Sequence, residues 1–307
     1  MSGYRRIAAP VRGGELVAGV WEPEGEPVAT VLAVHGITAS HLTWPMLVDA
    51  LPGVRVVAPD LRGRGGSRDL PGPWGMVQHA EDLARVLDAV DVEAATVVGH
   101  SMGAFASVRF ASRHPERTEG LVLVDGGLPL PSVEVSDDED VALRLIGPAA
   151  ERLRMTFPDR ESYRAFWRAH PAFARDWSPF VERYVDYDLV GQESELHSSS
   201  SIEAITADSL ELNADGGYLA ALQGIARPIP FLRAPRGLLD QPEALYPPAT
   251  VAHWQALVPE LRVHEVADVN HYTILMTAHG VAAVAAVVRD VLDHRTEEST
   301  TRQGSPT

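Results

Sequence analysis

The 307-residue chain contains no cysteine and no lysine. The missing cysteine excludes disulfides, thiolate nucleophiles and thiolate-ligated metal centres. Without lysine, Schiff-base chemistry and serine–lysine dyads are closed off, and all 26 basic side chains are arginines. Positive charge is scarce as well. Against 42 acidic residues it leaves a formal charge of −16, which repels nucleic-acid backbones and anionic membrane surfaces. Long apolar runs are also lacking: VAAVAAVV at 281–288 is less than half of the ~20 residues a membrane helix needs. The opening MSGYRRIAAPVRGGE has two arginines but no apolar stretch behind them, so no secretory leader is expected and the cytoplasm is the expected location. The histidines show neither H-E-x-x-H nor another ligand spacing, so no metal is expected. The expected partner is a small-molecule substrate, with no nucleic acid, no membrane and the oligomeric state left open.

What is present is a chain 45% hydrophobic, long enough for one large α/β domain with an insertion. ATVLAVHG (29–36), VRVVAPD (54–60), ATVVGH (95–100) and GLVLVDG (120–126) are continuous apolar runs, as strands covered on both faces must be. Between the second and third, Leu83, Val86, Leu87 and Val90 repeat at helical spacing. This alternation predicts an α/β fold with a doubly wound, mostly parallel sheet. The rhythm stops after Gly127, where an acidic run, SDDED at 136–140, leads into helical patches without a convincing strand. It resumes at PIPFLRA (228–234), LRVHEV (261–266) and a final helix near 278–293 with Val281, Val284, Val288 and Val291 as its stripe. The predicted organisation is a core of residues 1–127 and 226–295, a helical cap of residues 128–225 and a disordered tail from 296 to 307. The inserted segment holds ten of the chain's 20 aromatic residues. Most of them are expected to form the segment's own core, with the rest lining a pocket.

Gly99-His100-Ser101-Met102-Gly103 has the form G-x-S-x-G. The pattern alone is common, but here a strand precedes it and a helical run, Ala104 to Phe110, follows it. That is the strand–turn–helix setting in which flanking glycines let neighbouring chains come close and expose the serine above the sheet.

On these residues the chain resembles the α/β-hydrolase fold family, over nearly all of residues 15–293. The resemblance implies Ser101 as nucleophile, followed along the chain by an acid and then a histidine. Of the five histidines beyond Asp240, His271 in ADVNHYTIL stands just past the last strand, where the family places its base. The acid is expected in the loop after the next-to-last core strand, where Gly237-Leu-Leu-Asp240 gives the G-x-x-D form and makes Asp240 the first choice. Asp125, at the end of GLVLVDG, is the alternative. The family's oxyanion hole implies the backbone N–H groups of Met102 and of Ile37, in His35-Gly36-Ile37-Thr38. His35 is then a loop organiser. Trp44, His100 and Tyr272 are the expected pocket residues. Asp60-Leu-Arg62-Gly63-Arg64-Gly65-Gly66-Ser67 resembles the family's D-x-R-G-x-G-x-S loop, whose task is structural; it lacks the lysine and spacing of a phosphate loop, and no cofactor is expected.

The function these features imply is serine hydrolysis of a carboxylic ester with a largely apolar acyl or alcohol part, through an acyl-enzyme on Ser101. Thioester, lactone and C–C bond hydrolysis use similar triads, and the fold does not choose among them. A ligand receptor retaining the fold is the alternative of another class, distinguished by the lack of multiple turnover.

Overall fold

The computed structural model describes residues 3–130, 148–213 and 216–303. Ten strands are formed: β1 (Gly3–Val11), β2 (Gly14–Glu22), β3 (Ala29–Val34), β4 (Val54–Pro59), β5 (Ala95–His100), β6 (Thr118–Val124), β7 (Leu189–Val190), β8 (His197–Ser198), β9 (Ile229–Arg233) and β10 (Leu261–Glu265). Eight make one sheet in the order β1-β2-β4-β3-β5-β6-β9-β10, and the short β7 and β8 pair separately. β2 runs antiparallel to both neighbours, and the strands from β4 to β10 are parallel. All six strands expected from apolar runs are in the sheet. The β1–β2 hairpin is not foreshadowed, because β1 is exposed along most of its length and carries little alternation to read.

The sheet is covered on both faces, which is why its central strands read as continuous apolar runs. Val97, Leu121, Leu123 and Phe231 pack into one cluster with α2 (Met76–Asp88) and α3 (Met102–Arg113). Their neighbours Val98, Val122, Val124 and Leu232 point the other way, onto α1 (Pro45–Ala50) and the C-terminal helix. Trp44 is fully buried in this second cluster with Leu47 and Val98, so it supports the sheet and is not the pocket residue the sequence suggested.

Between β6 and β9 the chain forms α4 (Pro148–Leu153), α5 (Arg160–Ala169), α6 (Pro179–Asp188), α7 (Ile202–Ser209) and α8 (Gly216–Gln223). The acidic run at 136–140 lies outside the described residues. A third cluster gathers Phe157, Tyr163, Trp167, Phe173 and Tyr184, with Phe166, Trp177 and Phe180 at its edge. The expected boundary at 225 falls behind a helix of the main core, since Tyr218 and Leu222 of α8 pack there and the Tyr218 ring lies 5.1 Å from Phe105.

After β9 come α9 (Pro248–Leu257), α10 (Thr273–Met276) and α11 (Ala278–Gln303). Helix α11 continues past the expected start of a disordered tail at Thr296. No proline or glycine interrupts the sequence between Thr296 and Gly304, and residues 304–307 lie outside the described residues. Among the described residues no helix is long and apolar enough to cross a membrane.

Candidate active site

Ser101 occupies the one-residue turn between β5 and α3, with φ 54° and ψ −125°. A non-glycine residue held there costs on the order of 1–3 kcal/mol, so the surrounding structure must impose it. It does so by close main-chain packing. A Cβ on Gly103 would overlap the carbonyl oxygens of Val34 and His35, and one on Gly126 would overlap the backbone of Ser101. The Ser101 N–H donates to Val124 O at 3.0 Å. The serine side chain is thereby lifted to the N-terminal end of α3.

His271 lies between β10 and α10 and is almost fully buried. Its Nδ1 is 2.7 Å from Asp125 Oδ2, which leaves Nε2 as its other proton-exchanging nitrogen. Asp125 follows β6, where its own N–H donates to Leu232 O at 2.7 Å. Its second oxygen, Oδ1, accepts from Ala234 N at 3.0 Å. The carboxylate is therefore oriented by the histidine on one side and by β9 on the other.

The first choice of acid is corrected by this geometry. The Asp240 carboxylate accepts from Arg236 Nε at 2.6 Å, Asn270 Nδ2 at 3.1 Å and Arg175 Nη2 at 3.3 Å, and it does not pair with His271. Burial would raise its pKa, but the bonds from Asn270 and Arg236 and the arginine charges outweigh that and lower it. Asp240 still supports the base loop indirectly. Asn270, which it holds, accepts from the backbone N–H groups of Tyr272 and Thr273 and so caps α10.

Met102 is the first residue of α3, and its N–H is among the helix amides without an intrahelical acceptor. Ile37 lies across the cavity on a loop pressed so close that a Cβ on Gly36 would stand 3.1 Å from Ser101 Cβ. That loop is braced from behind. Leu61 N–H donates to His35 Nε2 at 2.9 Å, so the ring proton sits on Nδ1 and donates to Gly36 O at 2.7 Å. Burial lowers the His35 pKa to about 4, which keeps this tautomer neutral. Arg64, fully buried, donates from Nε to Ile37 O at 2.8 Å and pairs through Nη1 with Asp208 of α7 at 2.5 Å. His79 Nε2 joins the same carboxylate at 3.0 Å. The sequence reading missed Asp208 and His79 altogether, since nothing local marks a pairing between positions so far apart. Asp60 ties further turns together, accepting from His41, Gly66 and Tyr187.

Ser101, His271, His100, Ile37 and Tyr272 line one cavity of about 290 Å³. His100 donates from Nε2 to His271 O at 2.9 Å. Burial and the adjacent His271 push its pKa well below the usual histidine range, so it is neutral with a bare Nδ1. The inserted segment contributes Tyr184 and Leu212 to the cavity wall, and the loop after β9 contributes Leu238 and Leu239.

The strained turn at the end of β5 and the sheet order define an α/β protein with Ser101 on a sharp strand–turn–helix elbow. The chain belongs to the alpha/beta hydrolase fold family, whose model matches residues 29–188. It is 34% identical over 115 residues to Lipase LipV of Mycobacterium tuberculosis, covering 38% of this chain and 44% of that protein. It is also 34% identical over 128 residues to a putative carbamate hydrolase, RutD, of a Caulobacter species, covering 40% and 48% respectively. The chain spans less than half the length of these curated relatives. Among solved structures it is similar to the thioesterase domain from the curacin biosynthetic pathway, with a TM-score of 0.71, 23% identity, and coverage of 93% of this chain and 99% of that one.

Proposed function

We propose that the protein hydrolyses carboxylic esters through an acyl-enzyme on Ser101, with His271 as base and Asp125 as the acid that orients it. The observation that carries this reading is the 2.7 Å contact between His271 Nδ1 and Asp125 Oδ2, behind a serine held on a strained turn in the same cavity. In the first half-reaction Ser101 Oγ attacks the ester carbonyl carbon while His271 Nε2 takes its proton. The N–H groups of Ile37 and Met102 receive the oxyanion. Collapse of the tetrahedral species breaks the ester C–O bond, and the leaving alkoxide takes the proton from His271. Water then attacks the acyl-enzyme, giving a proton to His271. The second collapse returns that proton to Ser101 Oγ and releases the acid. Asp125 holds the Nδ1 proton throughout and stabilises the imidazolium.

The inserted segment serves as a cap in this reading, and the leucines on the cavity wall favour an apolar acyl or alcohol part. Each buried methylene is worth ~0.8 kcal/mol, so chain length is expected to raise kcat/KM. The test is labelling with a fluorophosphonate followed by mass spectrometry. Ser101 is expected to be the one serine labelled stoichiometrically, and Ser101→Ala to lose both label and turnover of a p-nitrophenyl ester. A label elsewhere, or wild-type turnover in the Ala variant, would falsify the assignment.

A further inference from the structure

The cavity beside Ser101 has two unlike walls. Ile37, Leu130, Leu212 and Leu245 pack onto the main core and make one side apolar. On the other side stand Thr43, Tyr184, Tyr272 and Met276, the last three belonging to or packed against the aromatic cluster of the insertion.

This second wall carries three hydroxyl-bearing side chains, one of which is buried with nothing to bond. Thr43 is 2% exposed, and among the described residues its Oγ1 has no hydrogen-bond partner. Tyr184, which is buried, and Tyr272, which is partly so, bring two phenols to the same cavity. His100 lines the same cavity, and its Nδ1 is also buried without a partner among the described residues. An unmet buried polar group costs about 1–3 kcal/mol, and native proteins keep such groups where a ligand or water will meet them.

The charges behind this wall cancel. Arg152 lies close enough to influence both phenols, but it is itself buried and paired with Asp188 Oδ2 at 2.7 Å. His170 is neutral at ordinary pH, since burial and then Arg152 lower its pKa to about 4. Burial raises the pKa of both Tyr184 and Tyr272, so both stay protonated and can donate as well as accept. A charged group would lose its hydration here without gaining an opposite charge, whereas a neutral hydroxyl, carbonyl or amide would find partners.

Building on the ester-hydrolase reading of the same site, we propose that the Thr43–Tyr184–Tyr272 wall is a subsite for an uncharged hydrogen-bonding group on one side of the ester, the leucine wall taking an apolar chain on the other. The substrate class is an ester with one polar, neutral arm and one hydrocarbon arm. A bond to these hydroxyls also explains why Thr43, on a short turn far from the triad in sequence, is kept polar though buried.

The experiment is calorimetric binding to Ser101→Ala, which needs no turnover. Two matched pairs place the hydroxyl on opposite sides of the ester: methyl 6-hydroxyhexanoate against methyl hexanoate, and 6-hydroxyhexyl acetate against hexyl acetate. In one pair the hydroxylated ester is expected to bind about tenfold more tightly, the value of one or two good hydrogen bonds. Thr43→Val and Tyr184→Phe, on separate elements and each made in the Ser101→Ala background, are each expected to reduce that ratio to threefold or less. Ratios within about twofold in both pairs, or a preference that survives both substitutions, would overturn the subsite. Failure of Ser101 to take a fluorophosphonate would overturn the hydrolase reading instead and leave these binding ratios standing.

Discussion

Asp125 directly follows β6 and Asp240 stands in the loop after the adjacent β9, and both reach toward the loop that carries His271. Only Asp125 touches the imidazole; Asp240 is drawn off by two arginines and Asn270. Asp125→Asn is therefore expected to reduce kcat by up to ~10⁴-fold, because the amide cannot hold the imidazole in its working tautomer and orientation. Asp240→Asn leaves the Asp125–His271 contact in place and weakens the pairs with Arg236 and Arg175 and the brace on Asn270, so its expected cost is less than about tenfold. Steady-state kinetics on variants with native circular dichroism decide between them, and the reverse ranking would return the acid to Asp240. Ser101 and His271 could be singled out in the sequence because an elbow motif and a chain order point to them without knowledge of distances, and the structure brings both to one cavity. The carboxylate that pairs with His271 could not be, because either aspartate satisfies the order. What separates them is Arg236, four residues before Asp240, turning back onto it, and that depends on the loop's path rather than its composition. Trp44 misled for a related reason: proximity to the oxyanion loop in sequence does not fix the face of the sheet to which a side chain turns.

At the scale of elements, strands buried on both faces announced themselves as apolar runs, and the helices beside them as periodic stripes. The exposed β1 and the contacts of the insertion did not. SSSS at 198–201 reads as low complexity, yet Ser198 and Ser199 bond Asp188, Ser199 Oγ also accepts from Gly65 N, and Ser201 caps α7. A fully buried ion pair between insertion and core is Arg64 with Asp208. Burial alone would raise the Asp208 pKa, but Arg64 and then His79 outweigh it and hold the group ionised. Removing one member of a buried ion pair costs about 3–5 kcal/mol, because the partner is left charged and unsolvated. Arg64→Met is expected to lose stability in that range, and adding Asp208→Asn to recover part of it, as measured by urea unfolding. An additive double variant would show that the two side chains are not energetically coupled. Because Arg64 also holds Ile37 O, the single variant should lower kcat more than it raises KM.

For the whole molecule the buried histidines set the response to acid. His35 and His100 are both held below the ordinary 6.5, His35 at about 4, principally by burial. The unfolded chain binds these protons first. Their contribution to stability is complete above about pH 6.5 and is lost as pH falls toward the folded values, each group adding up to ~1.4 kcal/mol per pH unit. Asp60 is lowered to about 2, where burial is outweighed chiefly by His41, so its share persists down to about pH 4 and fades only below that. The urea midpoint is thus expected to be steady from pH 8 to 7 and to decline between 6.5 and 4.5; a flat profile over the lower interval would contradict neutral, buried His35 and His100. The close packing at Ser101 bears on how such a molecule diverges. Ser101 is positioned by main-chain atoms of three strand ends, with Gly103 against Val34 and Gly126 against Ser101 leaving no room for a side chain. The chemistry is in that sense insulated from drift, because almost any replacement at those glycines abolishes the turn, while the wall residues Tyr184, Leu212 and Leu239 can change size or polarity without touching it. Selection for a new substrate would accordingly record its history in the inserted segment and the loop after β9, leaving the elbow unaltered.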